Sequence, residues 1–213
     1  MIKLIIYDLD GTIVDSLPLV GQILNEMRKS GGKDPIPNKV LLPWISMGSV
    51  DLVANALNVP LDVAVQELSK FRTLYLKTIT PKSSLYPEIY DTLVQLTEGM
   101  DLKVAICTNK PRELAEKVLV ELGIEYFFSF MNAGGDFPNK KPAVENVFSC
   151  LQYFSVNPHE AIYIGDSRVD QELALSAGIP YVHYMGGYDD GVDPSLNLTG
   201  INRHLELLPL ITG

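Results

Sequence analysis

Four short segments of the chain are apolar almost throughout, rather than at every second residue. They are residues 4–6, 103–107, 161–164 and 181–184. A strand with one face in water alternates apolar and polar side chains, whereas a strand covered on both faces is apolar along its length. The pattern therefore predicts a parallel sheet covered on both faces, and residues 127–131 form a weaker fifth candidate strand.

Segments with apolar residues at helical spacing lie between these runs. Each begins at a proline, and they cover residues 87–99, 111–123 and 142–151. Proline suits the first turn of a helix, because its fixed backbone angle fits there and its missing N–H is not needed. Strands that alternate with helices of this length predict an α/β fold, with a doubly wound, Rossmann-like parallel sheet as its core.

Residues 16–84 interrupt this alternation, because they contain no convincing strand. Helical patterns occur after Ser16 and near 38–44, 49–57 and 61–78. A helical block of this size, inserted after the first strand, predicts a cap domain over the carboxyl edge of the sheet. We therefore expect a core of residues 1–15 and 85–213 and an inserted helical cap domain of residues 16–84.

The charge balance bears on the partners of the protein. Acidic residues outnumber basic ones by 26 to 17, which gives a net charge of -9. Nucleic acids and anionic membranes recruit clustered Lys and Arg, so neither is expected as a partner. No window approaches the roughly 20 apolar residues of a membrane span, and Asp8 and Asp10 interrupt the apolar N-terminus. We expect a cytoplasmic protein, a monomer or weak homodimer, whose two cysteines are buried and reduced.

Two carboxylates directly follow the first apolar run, in Tyr7-Asp-Leu-Asp-Gly-Thr12. At the carboxyl end of a strand, Asp8 and Asp10 are expected in the crevice where open α/β sheets bind ligands. Two adjacent anions repel each other, so the pair requires a cation or a raised pKa. A turn would explain Asp10-Gly11 but leaves Asp8 without a reason.

Three further polar motifs follow apolar runs or precede helices. Thr108 and Asn109 follow the second run, Lys141 precedes Pro142, and Asp166 and Asp170 follow the run 161–164. Each motif alone also fits a helix cap or a solvated loop. Together they bring carboxylates, a hydroxyl and an ammonium toward one crevice. Oxygen ligands without His or Cys favour Mg²⁺, and these groups are the ones that phosphoryl transfer needs.

The order of these motifs resembles the haloacid dehalogenase-like hydrolase superfamily, in particular its phosphatases with a helical cap inserted after the first motif. The pattern is Asp-x-Asp-Gly-Thr, a Thr strand end, Lys-Pro and Gly-Asp-Ser-x-x-Asp. The resemblance covers about 1–16 and 85–190. It implies that Asp8 is the nucleophile that forms an aspartyl-phosphate. It also implies that Asp10 protonates the leaving alcohol and then activates water.

The resemblance also assigns the phosphate and metal ligands. Thr108, Asn109 and Lys141 would hold the phosphoryl oxygens, with Thr108 and Lys141 counted among the catalytic residues. Asp8, the main-chain carbonyl of Asp10, and Asp166 would bind Mg²⁺. Asp170 would orient its neighbours without binding the metal.

Within the superfamily, the segment Cys-Thr-Asn-Lys-Pro at 107–111 and Gly187-Tyr188 look most like phosphoglycolate phosphatases. A small phosphorylated metabolite is the expected substrate, and 2-phosphoglycolate is the leading candidate. Pyrophosphatases, sugar-phosphate phosphatases and phosphomutases remain alternatives within the superfamily. A receiver-like phospho-accepting signalling domain is a remote alternative, because its phosphorylated Asp follows a later strand. A non-catalytic binding protein should have lost Asp8, Asp10 or Lys141.

Two minor expectations concern the cap and the histidines. Trp44, together with 46–48 (Ser-Met-Gly), forms a candidate specificity segment, although Trp44 also fits a cap core. His159, His183 and His204 are expected in ordinary surface or strand-end positions.

Overall fold

The computed structural model describes residues 1–45, 49–196 and 199–212. The chain forms two compact units, one of Met1–Asp15 with Lys82–Gly213 and one of Ser16–Pro81. Residues 46–48 of the candidate specificity segment lie outside the described residues. Among the residues that are described, none of the helices combines the length and apolar character needed to cross a bilayer.

A six-stranded parallel sheet forms the centre of the first unit. Its strands are β1 (Leu4–Tyr7), β2 (Lys103–Pro111), β3 (Phe130–Gly134), β4 (Ala161–Gly165), β5 (Tyr181–Tyr184) and β6 (Thr199–Ile201). The strand order is β3-β2-β1-β4-β5-β6, and every neighbouring pair is parallel. The connections change direction between β1 and β4, and the crevice at such a switch point is where α/β sheets bind ligands.

The burial of β1 explains its continuous apolar sequence. All four residues of β1 have no exposed surface. The strand lies between β2 and β4, with Ile6 opposite Ala105 on one side and Tyr163 on the other. Burying each large apolar side chain contributes roughly 1.5–3 kcal/mol, so this strand is a rigid base for the residues that follow it. The predicted parallel sheet with buried strands is confirmed.

The helices of the described residues follow the chain in two groups. The second unit contains α1 (Leu17–Ser30), α2 (Asn38–Ile45), α3 (Ser49–Leu57) and α4 (Leu61–Lys77). The first unit contains α5 (Ile89–Val94), α6 (Arg112–Leu122), α7 (Glu145–Phe154), α8 (Arg168–Ala177) and α9 (Leu207–Thr212). A π-helical turn, Gln95–Gly99, continues α5. The helical patterns of the sequence agree with the bounds of α2 to α7 to within about three residues, with the π-helical turn counted as part of α5.

The structure corrects three boundaries. Strand β3 begins at Phe130, because Phe127 instead lies in a 3-10 turn where its ring packs 4.2 Å from that of Tyr126. Strand β2 continues past Cys107 to Pro111, and α7 begins at Glu145 rather than at Pro142. The short strand β6 was not predicted, because Thr-Gly-Ile has no recognisable pattern and only its pairing with β5 makes it a strand.

His204 is buried, so the prediction of an ordinary surface or strand-end position is wrong for this residue. Its ring stacks on Tyr184 at 4.2 Å and lies 6.1 Å from the ring of Tyr7. Burial lowers the pKa of His204 to about 4, against opposing contributions from the Thr12 main chain and the Glu88 carboxylate. The segment that follows β6 is therefore packed core rather than a loose end.

We expect this histidine to make folding stability depend on pH. The pKa of His204 lies below its ordinary value of 6.5, so the unfolded chain binds the proton first and stability is lost as the pH falls. Between about pH 7.5 and about pH 5, the free energy of unfolding should drop by about 2 kcal/mol more in the wild type than in His204→Phe. Urea denaturation at both pH values measures this, with the exposed His159→Gln as control. Identical pH dependence in wild type and His204→Phe would contradict it.

Candidate active site

The turn after β1 directs Asp8 and Asp10 to different partners. The Asp8 N–H donates to the Ile164 carbonyl of β4, and the Gly11 N–H donates to the Val14 carbonyl. Gly11 has φ +85, and a Cβ atom there would lie 2.2 Å from an Asp166 oxygen. Only glycine fits this turn without displacing Asp166. The buried Asp8 carboxylate contacts Lys141, whereas the Asp10 carboxylate contacts Lys110.

A buried network surrounds the ammonium group of Lys141. Its Nζ lies 2.8 Å from Oδ1 of Asp8 and 2.7 Å from Oδ1 of Asp170. It also donates to the Tyr163 hydroxyl at 3.1 Å, and that hydroxyl lies 2.9 Å from Asp170 Oδ1 and from the Cys107 carbonyl. Lys141 is therefore not at the start of a helix, as the sequence suggested, and its ammonium lies between the carboxylate of Asp8, which follows β1, and that of Asp170 on α8.

Thr108 and Asn109 lie in an irregularity of β2. The register with β3 shifts between Cys107 and Pro111, and such bulges re-aim side chains near functional sites. Thr108 is buried, and its hydroxyl oxygen accepts from the Lys110 N–H. The Asn109 side chain accepts from the Lys141 N–H at 2.8 Å and donates to the Lys141 carbonyl at 3.3 Å. Asn109 thus holds the main chain of Lys141, and its predicted contact with phosphate stays a prediction.

Asp166 follows β4 and is held on both carboxylate oxygens. The Thr12 hydroxyl donates to Oδ1 at 2.9 Å, and the Tyr188 N–H donates to Oδ2 at 2.7 Å. A Cβ atom at Gly187 would lie 2.3 Å from the Asp166 Cβ, so the Gly-Tyr segment can approach only without a side chain. These contacts fix the orientation of a fully buried carboxylate.

Asp170 closes the site from α8. It forms a capping box with Ser167, whose hydroxyl donates to Oδ2 at 2.6 Å. Its other oxygen receives Lys141 and Tyr163. Asp8, Asp166 and Asp170 each offer an oxygen within 4.8 Å of the others, which makes them a candidate metal centre. Asp170 receives the Lys141 ammonium and the Tyr163 hydroxyl on one oxygen and the Ser167 hydroxyl on the other, an arrangement that suits orientation of Lys141. Asp8 and Asp166 stay the predicted metal ligands.

Comparison with known proteins places this site in a family. Residues 5–184 match the family model of haloacid dehalogenase-like hydrolases. The chain belongs to the haloacid dehalogenase-like hydrolase family. A phosphoglycolate phosphatase from Psychrobacter arcticus is 32% identical over 200 residues, which cover 90% of this chain and 86% of that protein. Another, from Pseudomonas putida, is 30% identical and covers 89% of this chain and 71% of that protein.

Solved structures agree with this assignment. A predicted phosphoglycolate phosphatase from Haemophilus somnus superimposes with a TM-score of 0.84 at 25% identity, covering 98% of this chain and 97% of the other. A β-phosphoglucomutase from Clostridium difficile superimposes with a TM-score of 0.73, covering 97% and 93%, and at 21% identity it supports the fold alone. The predicted family, fold class and phosphatase-type enzyme are confirmed at the level of the family.

Buried carboxylates dominate the electrostatics of the hydrolase site. Burial raises the pKa of Asp8 to about 7, while Lys141 opposes this shift and Asp170 adds to it. Burial, followed by the charges of Asp170 and Asp8, raises the pKa of Asp166 well above its ordinary value. Burial alone would lower the pKa of Lys141, but Asp170 and Asp8 outweigh it and raise the pKa. The carboxylates therefore outnumber the positive charge available to them inside the site.

Sequence reasoning missed three residues of the site. Lys110 contacts Asp10, the Tyr163 hydroxyl contacts Lys141 and Asp170, and the Thr12 hydroxyl contacts Asp166. Lys110 carried a usable signal, since it follows Thr108 by two residues and side chains two apart share one face of a strand. Tyr163 carried none, because it lies within a run that predicts only buried strand.

Proposed function

We propose that this hydrolase is a Mg²⁺-dependent phosphomonoesterase that acts through an aspartyl-phosphate on Asp8. The observation that carries this proposal is the 2.8 Å contact between Asp8 and a buried, fully partnered Lys141. If a phosphoryl oxygen takes the place of the Tyr163 hydroxyl among its three acceptors, the ammonium can bind the substrate and hold the nucleophile beside it. A lysine placed in this way favours an anionic substrate whose charge increases at the point of attack.

The reaction follows from the positions of Asp8 and Asp10. The Asp8 carboxylate attacks phosphorus, the ester P–O bond breaks, and Asp10 gives its proton to the departing alcohol oxygen. Asp10 then takes a proton from water, the water oxygen attacks the aspartyl-phosphate, and the Asp8 carboxylate is released. Thr108 and Lys141 bind the phosphoryl oxygens, and Asn109 holds the Lys141 main chain in place for that contact.

The donor set fits Mg²⁺. Asp8, Asp166 and the main-chain carbonyl of Asp10 would hold the ion, and all three offer hard oxygen atoms. Burial, with the charge of Asp170, raises the pKa values of Asp8 and Asp166, so a cation beside them would favour their ionised forms. When bound, Mg²⁺ supplies charge neutralisation at the phosphoryl group and keeps both carboxylates ionised.

Within this reaction, we propose 2-phosphoglycolate as the substrate. The support is the similarity to proteins named phosphoglycolate phosphatase, at 30–32% identity over most of the chain. We further propose that the protein works in the cytoplasm as a monomer or weak homodimer, without nucleic acid or membrane partners. The support for the compartment is that the described cysteines, Cys107 and Cys150, are both free and buried.

A panel of phosphate esters tests the proposed function. We expect kcat/KM for 2-phosphoglycolate to exceed that for glucose 6-phosphate and pyrophosphate by at least about tenfold, since specific pockets discriminate by 1–3 kcal/mol or more. Release of inorganic phosphate measures this, and β-glucose 1-phosphate tests for a mutase by formation of glucose 6-phosphate. A preference for another ester would correct the substrate, whereas isomerisation without phosphate release would replace the phosphatase by a mutase.

A further inference from the structure

The ammonium of Lys110 is buried against both oxygens of the Asp10 carboxylate. Its Nζ lies 2.9 Å from Oδ1 and 3.1 Å from Oδ2. The Lys110 side chain is 6% exposed, whereas that of Asp10 is 27% exposed. A buried ammonium that spans both oxygens restricts rotation of a carboxylate that would otherwise turn in partly open space.

The backbone of β2 explains why Lys110 can reach Asp10. The register of β2 with β3 shifts over residues 108–110, and the Lys110 N–H donates to the Thr108 hydroxyl oxygen at 3.2 Å. Strand β1 is the other neighbour of β2, and Asp10 follows β1 by three residues. The irregular end of β2 therefore brings its lysine across the turn that carries Asp10.

Two different ammonium groups thus serve the two carboxylates of the first motif. Lys141 contacts Asp8, and Lys110 contacts Asp10. A separate ammonium for Asp10 matters because proton transfer to a leaving group requires a carboxyl oxygen within hydrogen-bond reach of the leaving-group oxygen. An ammonium that fixes the Asp10 side chain would set this geometry.

From this geometry we infer that Lys110 is a positioning residue that fixes the Asp10 carboxylate for protonation of the leaving alcohol. The inference rests on the proposed function, in which Asp10 transfers that proton. It predicts a defect that depends on the leaving group. An alkoxide needs a proton as it departs, whereas 4-nitrophenolate departs as a stable anion and does not.

The experiment compares 2-phosphoglycolate with 4-nitrophenyl phosphate in Lys110→Met. The ratio kcat/KM reports the steps up to the phosphorylated enzyme. We expect it to fall about 10- to 100-fold for the alkyl ester and less than about threefold for the aryl ester, since general acid catalysis contributes 10²–10⁴-fold. Lys110→Arg, which keeps the positive charge, should recover most of the loss on the alkyl ester.

Controls separate the possible outcomes. Lys117→Met removes another partly buried ion pair, with Glu121 on α6, and should leave both ratios unchanged. If Lys110→Met does not fold, Lys110→Gln is judged by the same criterion. An equal loss on both esters would assign Lys110 to the phosphoryl group and overturn the inference, as would no loss on either. A wild-type protein that hydrolyses neither ester overturns the proposed function and this inference with it.

Discussion

Replacing Asp8 by Asn is expected to reduce turnover by on the order of 10⁴-fold or more while the protein stays folded. The amide has nearly the same shape, but it is neither a nucleophile nor an anionic metal ligand. The Asp8 side chain lies 2.8 Å from Lys141, so the substitution also removes the negative charge beside this ammonium. Phosphate binding without turnover is the expected residual behaviour, because Thr108 and Lys141 remain.

The measurement is single-turnover kinetics with a rapidly hydrolysed ester, together with a test for phosphorylated protein by acid quench. Near-ultraviolet circular dichroism checks that the fold is retained. Asp101→Asn is the matched control, because that side chain is 98% exposed and precedes β2, whereas Thr108 lies near the other end of that strand. Wild-type turnover in Asp8→Asn would show that the covalent route through Asp8 is wrong.

Removal of divalent metal is expected to abolish activity. Asp8, Asp10, Asp166 and Asp170 bring four negative charges, which Lys110 and Lys141 only half balance. Two like charges about 4 Å apart repel by roughly 4 kcal/mol at an effective dielectric constant near 20, and a phosphate ester adds more negative charge. Chelation should therefore stop turnover, Mg²⁺ should restore it, and Ca²⁺ should restore little because its coordination shell is larger and looser.

Replacement of Asp166, a predicted Mg²⁺ ligand, should change the Mg²⁺ requirement of the enzyme. Asp166→Asn should raise the Mg²⁺ concentration for half-maximal activity by about 10- to 100-fold, whereas Asp62→Asn, on the exposed surface of α4, should leave it unchanged. Isothermal titration of the protein with Mg²⁺ reports the same change without depending on turnover. Full activity after exhaustive chelation would contradict the metal requirement.

Much of the site was predictable because the motifs of Asp8 and Asp166 each follow a buried strand, although Lys141 lies in the loop between β3 and α7. Asp8, Lys141, Asp166 and Asp170 lie together, as expected for groups at one edge of a parallel sheet. The roles of these residues in the reaction stay predictions, whereas their proximity is a property of the fold.

What could not be predicted depends on contacts between distant segments. The pairing of Lys110 with Asp10 requires knowledge that β2 lies beside β1, and that Lys110 points across the turn after β1. The burial of His204 requires β6, whose three residues become a strand only through pairing with β5. The contacts of Asn109 could not be predicted for the same reason. Its place after Thr108 suggests phosphate binding, but its side chain forms hydrogen bonds with the main chain of Lys141.

The central position of β1 has a consequence for how the protein is made. Strand β1 pairs with β2, which begins at Lys103, and with β4, which begins at Ala161. Contacts of such long sequence separation form slowly, because the intervening chain must be ordered before they stabilise it. Until residue 166 has been synthesised, β1 lacks its neighbour β4, and Asp8 lacks the nearby carboxylate of Asp166. The cluster of Asp8 with Asp166 therefore forms only once both neighbouring strands are available, and until then β1 is an unpaired apolar segment that is prone to aggregation.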